Sequence, residues 1–153
     1  MQRNAWLLTL SNQQTLAIAQ QQVVEYLSHI DAVQVPDCHP RCDQVLLWRD
    51  HVLPILGAAG GQPHHSHLLV AAYVRNLNGR NHAERIALAL AGPPAAIEVE
   101  DDCQCDPTAD QLAYWQDAIR ACFLHNGQPV AIVDFGSIGA TDANRHDELL
   151  QAS

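Results

Sequence analysis

Three groups of residues in this sequence have the types and spacing to do chemistry. Cys38, His39 and Cys42 form a Cys-His-x-x-Cys grouping, Cys103 and Cys105 form Cys-x-Cys, and His64, His65 and His67 crowd into four positions. Thiolates and imidazoles are the ligands of tetrahedral zinc, whose structural sites use Cys-x₂₋₄-Cys and His-x₃₋₅-His elements. Cys38 and Cys42 meet that spacing loosely. Cys103 and Cys105 are a poor chelate on a strand, where alternate side chains point to opposite faces. The histidines stand beside Gly60, Gly61 and Pro63, which reads as a solvated connection. Zinc binding is therefore kept as the alternative function, with no metal ligand assigned and no cofactor expected. For catalysis, there is no nucleophile elbow, phosphate-binding Walker loop, dinucleotide fingerprint or His-Glu-x-x-His. Glu98, Glu100, Asp101 and Asp102 form a charge run, most simply a solvated loop. The chain is read as non-enzymatic.

Charge narrows the partners. Seventeen acidic residues oppose eight basic ones, a formal net charge of −9. Phosphate backbones and anionic membrane surfaces both require a basic face, so neither nucleic acid nor membrane is expected as a partner. All eight basic residues are arginines, so each cationic contact can be planar and bidentate. Five cysteines, an odd count with no secretory signal, suggest free thiols in a reducing cytoplasm. The apolar run 5–10 is too short for a signal peptide, and 86–97 falls short of the roughly 20 residues a membrane span needs. A chain of 153 residues is expected to form one domain, with two subdomains sharing a core.

The elements that must position these residues are mostly short strands. Runs at 5–10 and 15–19 read as a hairpin, and 20–27 as one or two helical turns. Residues 44–48 and 51–56 are strands flanking a turn at Arg49–Asp50. Pro54 lacks a ladder donor and is expected at an edge or bulge. The strongest strand is 67–74, joined through an Asn-Gly turn to 85–91. A further strand covers 95–100 and an acidic loop 100–110. Helical spacing runs over 109–119, with Thr108 or Asp110 as its cap. A last hairpin turns at Asn126–Gly127, and a C-terminal helix is expected over 142–150. Many short strands with regular turns favour a barrel or sandwich.

One block resembles a known family. Gln44-Val45-Leu46-Leu47-Trp48-Arg49-Asp50-His51-Val52-Leu53-Pro54-Ile55-Leu56-Gly57-Ala58 is similar to the G-V-x-N-L-R-G-x-V-V-P-V-V-D-L segment of CheW adaptors. Upstream, Val23-Val24-Glu25-Tyr26 is similar to the family's V-x-E-I/V, and Pro129–Phe135 to its L-I-x-L-L-D-L ending. The resemblance implies a mainly β fold of two interlocked five-stranded SH3-like barrels with short helices. It also implies a cytoplasmic scaffold that couples chemoreceptor tips to the regulatory domain of a CheA-like histidine kinase. It places partner contacts at Arg49, Glu25, Trp48, Asp50 and Val35. For Arg49 the competing reading is a fold-holding ion pair, to Asp50 or Asp134. For Trp48 the competing reading is burial in the core. Asp50 replaces the family's turn glycine, and Asp is among the residues that best tolerate positive φ there.

Overall fold

The computed structural model describes residues 2–35, 44–59, 62–100, 103–115 and 118–136. Two sheets account for most of them. The first has the order β10-β11-β2-β1-β9. Its strands are β1 (Gln2–Thr9), β2 (Thr15–Ala19), β9 (Ala95–Glu100), β10 (Ile119–His125) and β11 (Gln128–Val133). The second has the order β3-β7-β8-β6-β5-β4. It is built from β3 (Val23–Asp31), β4 (Val33–Gln34), β5 (Gln44–Trp48), β6 (His51–Leu56), β7 (His64–Leu77) and β8 (Arg80–Ala89). One short helix, α1 (Ala109–Trp115), joins β9 to β10.

Both sheets curl. In the second, only Ala32 separates β3 from β4, yet β3 pairs with β7 while β4 pairs with β5. The bent β3–β4 strand therefore lies on both edges and closes five strands into a barrel. In the first, the chain just after β9 reaches β10: Gln104 pairs with Phe123, and the Cys105 amide donates to the Cys122 carbonyl at 3.0 Å. The fold is mainly β with two barrel-like sheets, as the resemblance implies.

Turn chemistry sets the hairpins. Asn78–Gly79 has φ of 54° and 79°, and Asn126–Gly127 has 52° and 77°. Two successive positive φ values match the twist of paired strands, and Asn-Gly adopts them at little cost. Arg49–Asp50 takes the same form, at 46° and 66°, without glycine. Pro54 opposes Val45 and sits one residue before β6 begins its parallel pairing with β8 at Ile55.

Among the described residues, buried side chains form three apolar clusters. Leu46, Trp48, Leu53, Ile55, Leu68, Val70, Ala87 and Ala89 fill the second barrel. Ala5, Ala17, Phe123 and Val130 form a smaller group in the first. The largest cluster joins the two sheets: Leu8, Leu10, Leu16 and Ile18 with Leu56, Leu69, Leu88 and Leu90, together with Trp115 and Phe135. In β7, Leu68 and Val70 face the barrel interior while Leu69 and Ala71 face the shared core. Burial on both faces explains the unbroken apolar run there. Each such leucine contributes about 1.5–3 kcal/mol by leaving water. Gly57, at φ 84°, stands where a Cβ would come 2.7 Å from Leu10 Cδ1. The two barrels therefore approach through a position that only glycine fits.

Three expectations are corrected. The helical turns over 20–27 shrink to a 3₁₀ turn at Gln20–Gln22, and Val23 begins a nine-residue strand. Burial alternates along β3, and its β-branched Val23 and Val24 suit a ladder on β7 better than a helix. Helix α1 ends at Trp115, and Ile119 already belongs to β10. The histidine-rich connection ends early, because β7 starts at His64. Thr108 is the cap: its Oγ1 accepts from the Gln111 amide at 3.1 Å, while Gln111 Oε1 accepts from the Thr108 amide at 2.9 Å. That reciprocal pair is a capping box. The expected helix over 142–150 lies outside the described residues.

Candidate functional site: a tryptophan–arginine turn beside an apolar stripe

Glu25 lies near the start of β3, and Trp48 and Arg49 lie where β5 enters its turn. Barrel closure brings them together. Trp48 Nε1 donates to Glu25 Oε2 at 3.1 Å, and Arg49 Nη2 donates to the same oxygen at 3.0 Å. Arg49 also lies over the indole, with Cζ 4.7 Å from the ring centroid, and Arg85 of β8 stands 5.5 Å from it. One carboxylate oxygen and one indole thus organise two guanidinium groups. The indole is buried in the second barrel, so the core reading of Trp48 holds for its ring, while its N–H edge serves Glu25.

The backbone here is strained. A left-handed arginine costs of order 1 kcal/mol and persists only where its surroundings hold it. Here the hold is the Glu25 carboxylate and the Trp48 face. Arg49 does form an ion pair, but to Glu25, while Asp134 stands 3.9 Å from Arg120. Asp50 is exposed at the tip of the turn. Val35 is not brought to this cluster. It follows β4, which pairs with the Gln44–Val45 end of β5, about 15 Å of strand away from Trp48.

Sequence reasoning missed an apolar stripe next to the turn. Leu47 and Val52 are cross-strand partners, 68% and 64% exposed. Val45 opposes both Pro54 and Val33, and Val33 is also exposed. These side chains share the outer face of β4, β5 and β6. The signal was available: Val45-Leu46-Leu47-Trp48 is apolar without alternation, so one of its faces had to lie outside the barrel core. An apolar centre beside an exposed arginine is the composition of a protein-binding surface.

The candidate metal ligands separate. His64 Nδ1 donates to Asp31 at 2.9 Å, and the Tyr26 hydroxyl is hydrogen-bonded to His67 Nδ1. His65 is buried, and its Nε2 donates to Gln44 Oε1 at 2.6 Å. Gln44 Nε2 in turn donates to the Gln62 carbonyl, which fixes the amide orientation and places the imidazole proton on Nε2. Burial, with His64 adding to it, holds the His65 pKa below the ordinary 6.5. Cys105 faces Cys122 rather than Cys103. Among the described residues no group of three or more His, Cys, Asp or Glu side chains is placed to hold a metal ion. Cys38, His39 and Cys42 lie outside those residues. Among the described residues, also, no helix is long and apolar enough to cross a membrane.

No family model matches the sequence, and no curated protein matches it. The fold does have a match among solved structures. The scaffolding protein CheW from Thermoanaerobacter tengcongensis is similar over 88% of this chain and 85% of its own, with a TM-score of 0.61 and 10% sequence identity. Strand order, paired barrels and that likeness agree, and the chain has the CheW-like fold.

Proposed function

We propose that this protein is a non-catalytic cytoplasmic adaptor of a bacterial chemosensory system. In this reading it couples the cytoplasmic tip of a chemoreceptor to the regulatory domain of a CheA-like histidine kinase. Residues 1–153 act as one domain, and the turn Trp48–Arg49–Asp50 with Glu25 forms the rim of the partner surface. The observation that carries this reading is the strained, exposed Arg49 held by Glu25 and Trp48 beside the solvent-facing Leu47–Val52 pair. That arrangement suits a contact made by side chains already in position, which lowers the ordering cost of binding. The adaptor's effect is geometric: binding both partners favours the kinase state that fits the assembly. Val35, at the far end of β5, would belong to a separate contact.

The experiment is reconstitution with the purified kinase regulatory domain and a soluble receptor fragment. Wild-type protein should bind each alone and both together. Leu47→Asp, which places a charge on the exposed stripe, should keep its melting temperature and lose affinity for at least one of them. Failure of the wild type to bind either would contradict the reading.

A further inference from the structure

We propose that Cys105 and Cys122 form a redox modification site, a dithiol that becomes a disulfide by exchange with a small disulfide such as glutathione disulfide. Because Gln104 pairs with Phe123 in antiparallel register, Cys105 and Cys122 stand directly opposite each other. Directly opposed antiparallel residues have Cα atoms about 4.5–5.5 Å apart, within the roughly 4.4–6.8 Å a disulfide spans. Both thiols are free, and their Sγ atoms lie 3.2 Å apart. The two differ in access. Cys105 is half-buried and Cys122 is buried, with Gln111 of α1 3.9 Å from its sulfur. Burial and the hydrogen bond with Cys105 also hold the Cys122 thiol up to about 12, so Cys122 is not the first to react.

The reaction follows from this difference. The Cys105 thiolate attacks one sulfur of glutathione disulfide, whose S–S bond breaks, and one glutathione leaves as thiolate. Cys122 then loses its proton to water and attacks the Cys105 sulfur. The mixed disulfide breaks, and the second glutathione leaves and is protonated. Two protein thiols are oxidised, and one small disulfide is reduced to two thiols.

The position gives the bond a consequence. It joins the chain after β9 to β10, the two edges whose contact closes the first barrel. It also closes the loop that carries α1. The site therefore staples the barrel when the surroundings become oxidising, while both thiols stay free in a reducing cytoplasm.

The test is equilibration of the full chain with glutathione disulfide, followed by acid quenching, alkylation and peptide mass spectrometry. The expected product is an intramolecular Cys105–Cys122 disulfide that forms equally in Cys103→Ser and is absent in Cys105→Ser. The bridged protein should melt roughly 5–10 °C above the reduced form. A Cys103–Cys105 bridge, a glutathione adduct that persists on Cys105 beside a free Cys122, or no oxidation of either residue would overturn the site. A bridge that left the melting temperature unchanged or lower would overturn its role as a staple.

Discussion

At the scale of single residues, the structure separates two histidine and arginine roles that look alike in sequence. Arg49 is exposed and held by neighbours, whereas His65 is buried and satisfied by Gln44. The His65 pKa lies below 6.5 in the folded chain, so at acid pH the unfolded chain binds the extra proton first. Stability from this residue is therefore fully present above pH 6.5 and falls as pH drops through that value. Urea denaturation at pH 7.5 and pH 5.5 should show wild type losing stability on acidification, and His65→Gln losing less. Equal losses would show that other groups set the acid sensitivity. Glu25 and Arg49 could be found in the sequence because the block around each resembles a family pattern. Their mutual contact could not, since 24 positions and a barrel seam separate them. Arg85 carried no signal, because its approach to the indole depends on how β8 lies beside the second barrel.

Among the elements, those fixed by local chemistry were legible. The Asn-Gly hairpins, β2, β5 and β6 appear where turn residues and apolar runs placed them. The helix cap was legible as one of two residues, Thr108 or Asp110, and the reciprocal bonds between Thr108 and Gln111 decide for Thr108. β3 was not legible. Val23, Val24 and Leu27 also fit a helical face, and the choice was made by β7, which lies forty residues on. The packing role of Gly57 had no local signal: it lies just past β6, where a Cβ would come 2.7 Å from Leu10 Cδ1. Gly57→Ala combines an alanine at positive φ with a close contact to a buried side chain. It should destabilise the fold by about 2 kcal/mol or more, read as a lower urea midpoint with unchanged slope. Gly79→Ala is the control: its site is equally left-handed but open, so its cost should be smaller.

For the whole molecule, the large cluster of side chains from both sheets ties the barrels together. If the chain is one domain, heating should give a single transition, with far-UV and near-UV signals melting together. Two separated transitions would mean that each barrel folds alone. A barrel or sandwich was legible from the number and spacing of short strands, and the pair of barrels only through the family resemblance. The closures were not, because they rest on a bend at Ala32 and on one bridge at Gln104. The central claim is that the Arg49 turn is a partner contact on a CheW-like scaffold. Calorimetric titration of the kinase regulatory domain with wild type and with Arg49→Ala tests it most directly. An exposed ion pair contributes about 0–1 kcal/mol to stability, so the variant should melt close to wild type. Its affinity should fall by about 1–2 kcal/mol, roughly tenfold, as expected of an interface arginine. A variant that binds as tightly as wild type, or loses affinity only in proportion to its unfolded fraction, would contradict the account.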